Sequence, residues 1–205
     1  MISDVTGIVL AGGKSRRMGQ DKRFVRVGDA TLLGSVLEAL TTVFESVCMV
    51  IGQDSPEIST QVPVFRDLVS DCGSLGGIYT GLKSCDTPYA FVAACDMPFL
   101  SPTVIRFLVG LKEEGDLIIP RTEFGVHPTH ALYSRRCLPS IEQMVQTRRL
   151  KIQDLLTGSH IRVRVVEVSE IQDADPEGHT FFNVNTPGEL EAAKRIASHR
   201  REGTS

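Results

Sequence analysis

The sequence predicts an α/β protein of three layers, in which a mostly parallel sheet is covered by helices on both faces. Two observations predict this fold. Short apolar runs without polar alternation recur along the chain, as is typical of strands buried on both faces of a parallel sheet. Segments with helical spacing separate these runs through the first two-thirds of the chain. We expect one domain at residues 1–197 and a flexible tail at 198–205.

The first strand is predicted at 6–11, where an apolar run that contains Ile8, Val9 and Leu10 stops at a pair of glycines. Further strands are predicted from similar runs, and the segment at 161–168 is predicted from its alternating character. In chain order, these strands lie at 47–51, 62–65, 89–94, 116–119, 130–133, 161–168 and 181–184.

Helices are predicted where apolar residues recur every three or four positions, as they do from Leu32 to Phe44. Ser101 is a suitable N-cap and Pro102 suits the first helical position, so a helix is expected at 102–112. Thr186 and a following proline predict a last helix that ends near residue 197. The remaining helices are predicted at 31–44, 57–61, 75–82, 135–146 and 152–156.

Composition excludes several classes of protein. A net charge of −3 argues against a general nucleic-acid binder, which normally has a basic bias. No apolar stretch approaches the roughly 18 residues that a membrane-spanning helix needs, and Asp4 without a basic region predicts no signal peptide. Five cysteines, an odd number without C-x-x-C spacing, argue against a disulfide framework. The sequence therefore predicts a cytoplasmic protein without a membrane partner.

A basic loop follows the first predicted strand. After Gly12 and Gly13 come four cations, Lys14, Arg16, Arg17 and Lys22. Glycines let the backbone approach a bulky ligand, and backbone N–H groups and cations can bind an anion, so a polyphosphate is the simplest ligand. Two familiar phosphate motifs fail, because a P-loop needs glycine where Ile8 stands and G-x-G-x-x-G has no match. A surface turn with solvated charges is the alternative interpretation.

The charged clusters of the chain follow predicted strands, at 12–22, 66–71, 96 and 183–185. In parallel sheets ligands bind at the carboxyl ends of the strands, so these clusters can converge on one cleft. The alternative is that loops are simply polar. Asp96 ends a buried strand and is the best candidate for a magnesium ligand, while a turn or a helix cap is its alternative role.

The motif L-A-G-G-x-S-x-R-M-G-x-D-K at Leu10 to Lys22 resembles the signature loop of nucleotidyltransferases with a glycosyltransferase-A-like fold. Within that group it is most similar to the molybdenum cofactor guanylyltransferases, whereas the cytidylyltransferases typically read L-A-A-G. The motifs C-D-M-P, H-P-T and N-V-N-T-P follow in the order of that family, so the resemblance covers nearly the whole chain. It implies a Rossmann-like fold of the nucleotide-diphospho-sugar transferase type.

The resemblance also implies a reaction, in which GMP passes from GTP to the terminal phosphate of Mo-molybdopterin and pyrophosphate is released. Mg²⁺ is the implied cofactor. The implied partners are the two substrates and, beyond them, other cofactor-synthesis proteins and molybdoenzyme chaperones. We expect a monomer. A cytidylyl- or sugar-phosphate nucleotidyltransferase, a non-catalytic GTP-binding regulator, and a basic-loop module without nucleotide are the alternatives.

The site residues are assigned by the same resemblance. The implied catalytic residues are Lys22, Arg17 and Asp96, and Asp96 is also the metal ligand. The implied nucleotide-binding residues are Leu10, Ala11, Gly12, Gly13, Lys22, Asp67 and Asp96, and the implied acceptor-binding residues are Gly76, Asn183 and Asn185.

Physical arguments accompany three of these assignments. A carboxylate such as Asp67 can accept both N–H groups of a guanine edge, which cytosine does not present. Asn183 and Asn185 share a face if their segment is extended, although Asn185 can instead turn the chain before the last helix.

Gln53 stands where the family often carries asparagine. His127 and His130 are only two potential ligands, so a metal between them is not expected.

Overall fold

The computed structural model describes residues 1–12, 21–157 and 160–202. Within these residues it contains ten strands and six α-helices. The strands are β1 (Ile2–Leu10), β2 (Arg26–Val27), β3 (Ala30–Thr31), β4 (Phe44–Ile51), β5 (Val64–Arg66), β6 (Tyr89–Ala94), β7 (Leu117–Thr122), β8 (Gly125–Val126), β9 (His130–Ser134) and β10 (Val163–Glu167). The helices are α1 (Leu32–Val43), α2 (Gly73–Ser84), α3 (Pro102–Gly110), α4 (Leu138–Gln146), α5 (Val168–Ile171) and α6 (Pro187–Glu202).

The main sheet has the strand order β10-β7-β9-β6-β1-β4-β5, and β8 pairs with β7 at one end. The strands β6, β1, β4 and β5 are parallel to their neighbours in this part of the sheet. β9 runs antiparallel to both β6 and β7, and β10 is again parallel to β7. The predicted mostly parallel sheet is therefore confirmed.

Helices cover both faces of the sheet, as predicted. The central strand β1 shows why its sequence lacks polar alternation, because Val9 packs into the core beneath α1 and α3 while Ile8 packs into the core beneath α2 and α4. Both side chains are fully buried. A strand that is covered on both faces must be apolar at every position, which is the pattern that the sequence shows.

Local signals set the helix starts well. Thr31 caps α1 by accepting a hydrogen bond from the Gly34 amide at 3.0 Å, and Ser101 caps α3 with Pro102 in its first turn. Two predicted helices contain 3-10 turns, which are tighter than α-helix. The helix predicted at 135–146 begins with one at Arg135–Cys137, and the segment predicted at 152–156 is one throughout, at Ile152–Thr157. The last helix continues to Glu202, five residues beyond its predicted end at 197.

Two predicted elements are wrong. Residues 57–61 form no helix, because they lie between Pro56 and Pro63 and offer mainly Ile58 to the core, too little to stabilise so short a helix. Residues 181–184 form no strand, since a 3-10 turn at His179–Phe181 leads into an irregular segment. Its Val184 amide donates a 2.9 Å hydrogen bond to the Asp96 carbonyl instead of joining a ladder. In the described part of the chain, no helix is long and apolar enough to cross a membrane.

Candidate functional site

The carboxyl ends of β1, β4, β5 and β6 lie at one edge of the sheet because these strands are parallel. Backbone hydrogen bonds continue beyond the strands and hold the loops together. The Ala11 amide donates to the Val50 carbonyl at 2.8 Å, and the Cys95 amide donates to the Leu10 carbonyl at 3.1 Å. The residues that follow these strands are therefore held on a rigid base.

Lys22 is fixed at this edge by its two neighbours. It begins a 3-10 turn, Lys22–Phe24, that is capped when Asp21 accepts the Arg23 amide at 3.1 Å. The buried Arg23 also donates from its guanidinium to Asp21, at 2.8 Å from Nε to Oδ1, and to the Ala11 carbonyl at 3.3 Å. Its hydrogen bonds lower the pKa of Asp21. The D-K pair of the sequence motif thus has one residue that anchors the loop and one that projects into the site.

The Lys22 ammonium group joins two distant loops. Its Nζ atom donates to Asp96 Oδ2 at 2.7 Å and to Asn185 Oδ1 at 3.2 Å. The Lys22 and Asp96 side chains are only 19% and 13% exposed, so the ion pair is partly shielded from water. These contacts confirm that the loops after β1 and β6 meet the segment before α6 at one place.

Asn185 is held by the first turn of α6. Glu189 Oε2 accepts the Asn185 amide at 2.7 Å and the Thr186 amide at 2.8 Å, and the Glu189 amide donates to Thr186 Oγ1 at 3.2 Å. This reciprocal pattern is a capping box. Asn183 lies half-buried two residues before Asn185 on the same irregular segment.

Asp67 follows β5, the last strand of the sheet, and lies beyond the carboxyl ends of the parallel strands. Its Oδ1 atom is buried and has no hydrogen-bond partner among the residues that the structure describes. Burial disfavours the charged carboxylate and raises the pKa of Asp67 to about 6. An unsatisfied buried carboxylate oxygen is costly, so the arrangement suits a ligand that supplies N–H donors.

Two glycines lie beside Asp67. A Cβ atom added at Gly12 would lie 3.8 Å from Asp67 Oδ2, and one added at Gly77 would lie 3.8 Å from Asp67 Oδ1. The Gly77 position is also only 3.0 Å from the Leu10 side chain. Both glycines therefore border the carboxylate, and a side chain at either position would contact it.

Gly76 has a packing role in the structure. An added Cβ would lie 2.8 Å from the Cys72 Cβ and 3.4 Å from the Val69 carbonyl oxygen. The turn before α2 is unusual, because Asp71 and Gly73 both have positive φ angles, 55° and 54°. Gly76 thus lets α2 start directly over this turn, and its assignment to the acceptor stays a prediction.

Two predicted site residues, Gly13 and Arg17, lie outside the described residues. Gln53, which stands where the family often carries asparagine, is exposed, and its side-chain Nε2 donates to the Asp67 backbone carbonyl at 3.0 Å. The backbone carbonyl of Gln53 accepts from Arg66 Nη1 at 2.7 Å. Gln53 therefore ties the loop after β4 to the loop that carries Asp67.

The histidines of the H-P-T-H segment form an aromatic layer. His130 is fully buried, with its ring 5.5 Å from Phe91 and 4.8 Å from Phe181. Both of its ring nitrogens are without a hydrogen-bond partner in the described parts of the chain, and burial lowers its pKa to about 3. His127 stacks on Phe181 at 4.6 Å and shares a 2.9 Å hydrogen bond with Thr122 Oγ1.

Mg²⁺ can be tested against the donor set. Within 1–12, 21–157 and 160–202, no group of three or more His, Cys, Asp or Glu residues could hold a metal ion. Mg²⁺ is commonly held by one or two carboxylates together with substrate phosphates, rather than by a cage of protein ligands. The single carboxylate of Asp96 at the end of a rigid strand fits that mode of binding.

Three residues near the site were not found from the sequence. Glu189 had a signal, since T-P-G-E matches the spacing of a capping box. Arg23 and Arg148 had none. Arg148 is exposed just after the end of α4, has a φ of 56° and donates to the Ser70 carbonyl at 3.1 Å, beside the turn before α2.

The family described as "MobA-like NTP transferase domain" matches residues 7–163. The molybdenum cofactor guanylyltransferase of Desulfosudis oleivorans is 35% identical over 93% of this chain and 94% of its own length. A probable molybdenum cofactor guanylyltransferase of Pelotomaculum thermopropionicum is 33% identical over 97% of this chain and 96% of its own.

A solved structure shows the same fold. The molybdopterin-guanine dinucleotide biosynthesis protein A of Archaeoglobus fulgidus superposes with a TM-score of 0.81. It is 28% identical, and the match covers 95% of this chain and 99% of that one. The nucleotidyltransferase type of the predicted fold is therefore confirmed.

Proposed function

Because the chain belongs to the MobA-like NTP transferase family and is thus a nucleotidyltransferase, we propose that it transfers GMP from GTP to the terminal phosphate of Mo-molybdopterin. The products are the guanine dinucleotide form of the molybdenum cofactor and pyrophosphate. The observation that carries the proposal is the contact of Lys22 with both Asp96 and Asn185, because it brings a cation, a carboxylate and an amide to the same edge of the sheet.

The chemistry requires two anions to meet. An oxygen of the acceptor phosphate attacks the α-phosphorus of GTP and forms a new P–O bond, while the bond to the bridging oxygen of pyrophosphate breaks. A phosphate monoester has a second pKa of about 6, so it is mostly dianionic at neutral pH and needs no strong general base. The main task of the protein is therefore to neutralise and position charge.

Lys22 is the cation that we assign to this task. Its ammonium group lies 2.7 Å from Asp96 Oδ2, at the carboxyl ends of the strands where phosphates are expected to bind. Arg17 and the backbone N–H groups of Gly12 and Gly13 are proposed to contribute further positive charge. Asp96 would hold Mg²⁺, which when bound would neutralise phosphate charge at the reacting centre.

Asp67 is proposed to bind the guanine base. Its orphan Oδ1 and the neighbouring Oδ2 are two acceptors, and guanine presents two adjacent N–H donors. Gly12 and Gly77 border the two oxygens, so a side chain at either position would contact the carboxylate. Cytosine lacks this donor pair, so the carboxylate favours GTP over CTP. Leu10 and Ala11 would contact the same nucleotide from the end of β1.

The acceptor is proposed to bind near Asn183, Asn185 and Gly76. Since Asp67 follows the edge strand β5, a nucleotide that reaches from Asp67 to Asp96 would cover the ends of β5, β4 and β1. The acceptor then has to approach from the other side of Asp96, where the segment before α6 lies. A monomeric, cytoplasmic enzyme is proposed, and its five buried thiols fit a reducing compartment.

A magnesium-dependent binding titration of GTP, CTP and ATP tests the nucleotide half of the proposal. We expect selective GTP binding that is weakened in Asp67→Ala and unchanged in Asp54→Ala, which removes an exposed carboxylate from the loop after β4. Because protonation removes an acceptor, GTP affinity should fall as pH is lowered through the Asp67 pKa of about 6.

Other outcomes would favour other functions. A preference for CTP would assign the protein to a cytidylyl branch, and binding without pyrophosphate release with any acceptor would indicate a regulator. No nucleotide binding at all would contradict the proposal and leave a basic-loop interaction module.

A further inference from the structure

Glu189 lies beyond residues 7–163, which match the family, and no role in the reaction has been assigned to it above. It is the N3 residue of α6, and its carboxylate accepts two consecutive backbone amides. One of these amides belongs to Asn185, whose side chain accepts a hydrogen bond from Lys22. A short chain of contacts therefore connects Glu189 to the ammonium group at the centre of the candidate site.

We propose that Glu189 is a positioning residue for the transfer reaction, which holds Asn185 in the orientation that keeps the Lys22 ammonium group beside Asp96. The role of Lys22 in this statement rests on the function proposed above. The placement of Lys22 through Asn185 does not, since it depends only on the contacts within the chain.

The geometry explains why a capping residue would have this second effect. Both amide bonds end on the same atom, Glu189 Oε2, at 2.7 and 2.8 Å, so the backbone of Asn185 and Thr186 is held at two successive points. The preceding residue, Val184, is fixed by its hydrogen bond to the Asp96 carbonyl at 2.9 Å. Asn185 is thus clamped from both sides, and its Oδ1 atom reaches Lys22 at 3.2 Å.

The contacts of Glu189 with the Asn185 and Thr186 amides are what hold this loop, because regular secondary structure does not. The segment before α6 is irregular rather than a strand, so no ladder of hydrogen bonds fixes the Asn185 backbone. Without the Glu189 carboxylate, the loop would keep the Val184 contact and lose both amide contacts at Asn185 and Thr186. The Lys22 ammonium group would then lose the fixed position of Asn185 Oδ1.

The chain offers a matched control. In α5, Glu170 forms a similar capping box and accepts the Glu167 amide at 2.9 Å. α5 follows β10, which lies at the opposite end of the sheet from β5 and three strands from β6. Glu170→Ala therefore removes a capping carboxylate and an ion pair with Arg164 without touching the site.

The conservative variant is equally informative. Because both amides donate to a single oxygen, the one carbonyl oxygen of glutamine can accept both, so Glu189→Gln keeps the clamp and removes only the charge. Glu189→Ala removes the clamp. A pure capping role and a positioning role predict different results for this set of variants.

The experiment measures pyrophosphate release with GTP and acceptor, thermal unfolding, and the NMR signal of the Lys22 ammonium group in the ligand-free protein. We expect Glu189→Ala to lower kcat roughly ten- to a hundredfold with a nearly unchanged KM for GTP, as a misplaced catalytic group does. Glu189→Gln should stay within about threefold of the parent protein, and Glu170→Ala should keep full activity. The Lys22 signal should shift or exchange faster with water only in Glu189→Ala.

Three results would overturn the proposal. Equal kcat values for Glu189→Ala and Glu170→Ala would show that Glu189 is only a helix cap. Equal losses of activity in Glu189→Gln and Glu189→Ala would show that the charge of Glu189 matters instead of its position. An unchanged Lys22 signal in Glu189→Ala would show that Glu189 does not position Lys22. If the parent protein releases no pyrophosphate, the proposed function fails, whereas the Lys22 signal still decides whether Glu189 positions this group.

Discussion

Lys22 contacts a carboxylate 74 positions later in the chain and an amide 163 positions later. In the proposed reaction between two anions, such a cation would matter more to turnover than to folding. We expect Lys22→Ala to lower turnover about 100-fold or more, the usual loss when a charge that stabilises the transition state is removed. The free energy of unfolding should fall by no more than about 1–3 kcal/mol, since the mostly buried pair lies between the exposed and the fully buried case.

Lys83→Ala is the matched control for this prediction, because Lys83 pairs with Glu142 at 3.2 Å on the exposed side of α2 and α4. It should leave turnover unchanged. Steady-state kinetics and chemical denaturation measure the two effects, and normal turnover in Lys22→Ala would contradict the proposed catalytic role of Lys22.

His130 illustrates a buried polar group that destabilises the fold in acid. Its pKa is lowered to about 3 by burial, whereas a histidine in the unfolded chain has a pKa of about 6.5. Below pH 6.5 the unfolded chain binds a proton that the folded protein refuses, so stability is lost as pH falls from about 6.5 toward 3. The slope for one such group is at most about 1.4 kcal/mol per pH unit.

His130→Leu should remove this loss. We expect its unfolding free energy, relative to the parent protein, to rise by about 2 kcal/mol between pH 7 and pH 5. The exposed His199 provides the control, and His199→Leu should show no such change. Urea denaturation at the two pH values measures the difference. A pH-independent effect of His130→Leu would show that the pKa of His130 is not lowered in the folded protein.

At the scale of elements, α2 packs against β1 through glycine. A Cβ atom at Gly81 would lie 2.7 Å from Ile8 Cδ1 and 2.8 Å from Ile8 Cγ2, so the helix lies as close to the strand as a residue without a side chain permits. Gly81→Ala should therefore destabilise the protein by roughly 1–3 kcal/mol through overpacking, although alanine is the better helix former.

Gly110 is the control, because it lies in α3 with nothing within 4 Å of an added Cβ. Gly110→Ala should stabilise by roughly 0.5–1 kcal/mol through helix propensity and a less flexible unfolded chain. Adding Ile8→Val to Gly81→Ala should recover part of the loss, since it removes the Cδ1 atom. Thermal unfolding of the four proteins measures these effects, and a neutral Gly81→Ala would mean that α2 moves away from β1 at little cost.

For the whole molecule, nucleotide binding should raise the free energy of unfolding. The proposed ligand would contact loops after β1, β5 and β6 together, so it binds only the folded protein. GTP with Mg²⁺ at about 100 times its Kd should add about 2.7 kcal/mol. For a protein of this size that corresponds to a rise in Tm of roughly 5–10 °C.

A thermal shift assay with EDTA, CTP and ATP as parallel samples measures the effect. We expect the rise in Tm to require Mg²⁺ and to be clearly smaller with CTP and ATP. Equal shifts with all three nucleotides would contradict base selection by Asp67 while leaving a phosphate site in place.

The sequence by itself determined the features that depend on local chemistry. The buried strands at β1 and β6 follow from unbroken apolar runs, because a strand covered on both faces tolerates no polar alternation. Thr31 and Ser101 mark their helices, since a side-chain oxygen at an N-cap satisfies a nearby amide. Lys22 and Asp96 could be selected as candidates because their motifs are contiguous in sequence.

Only the tertiary structure decided which of these groups meet. The pairing of Lys22 with Asp96 and Asn185, and the orphan oxygen of Asp67, depend on how loops from distant strands end, and distances of a few ångströms have no signature in sequence. The segment at 181–184 resembled a strand but became irregular, because Phe181 packs against the buried His130 and the Val184 amide donates to the Asp96 carbonyl. Packing between distant residues there outweighs local strand propensity, which is weak and depends on context.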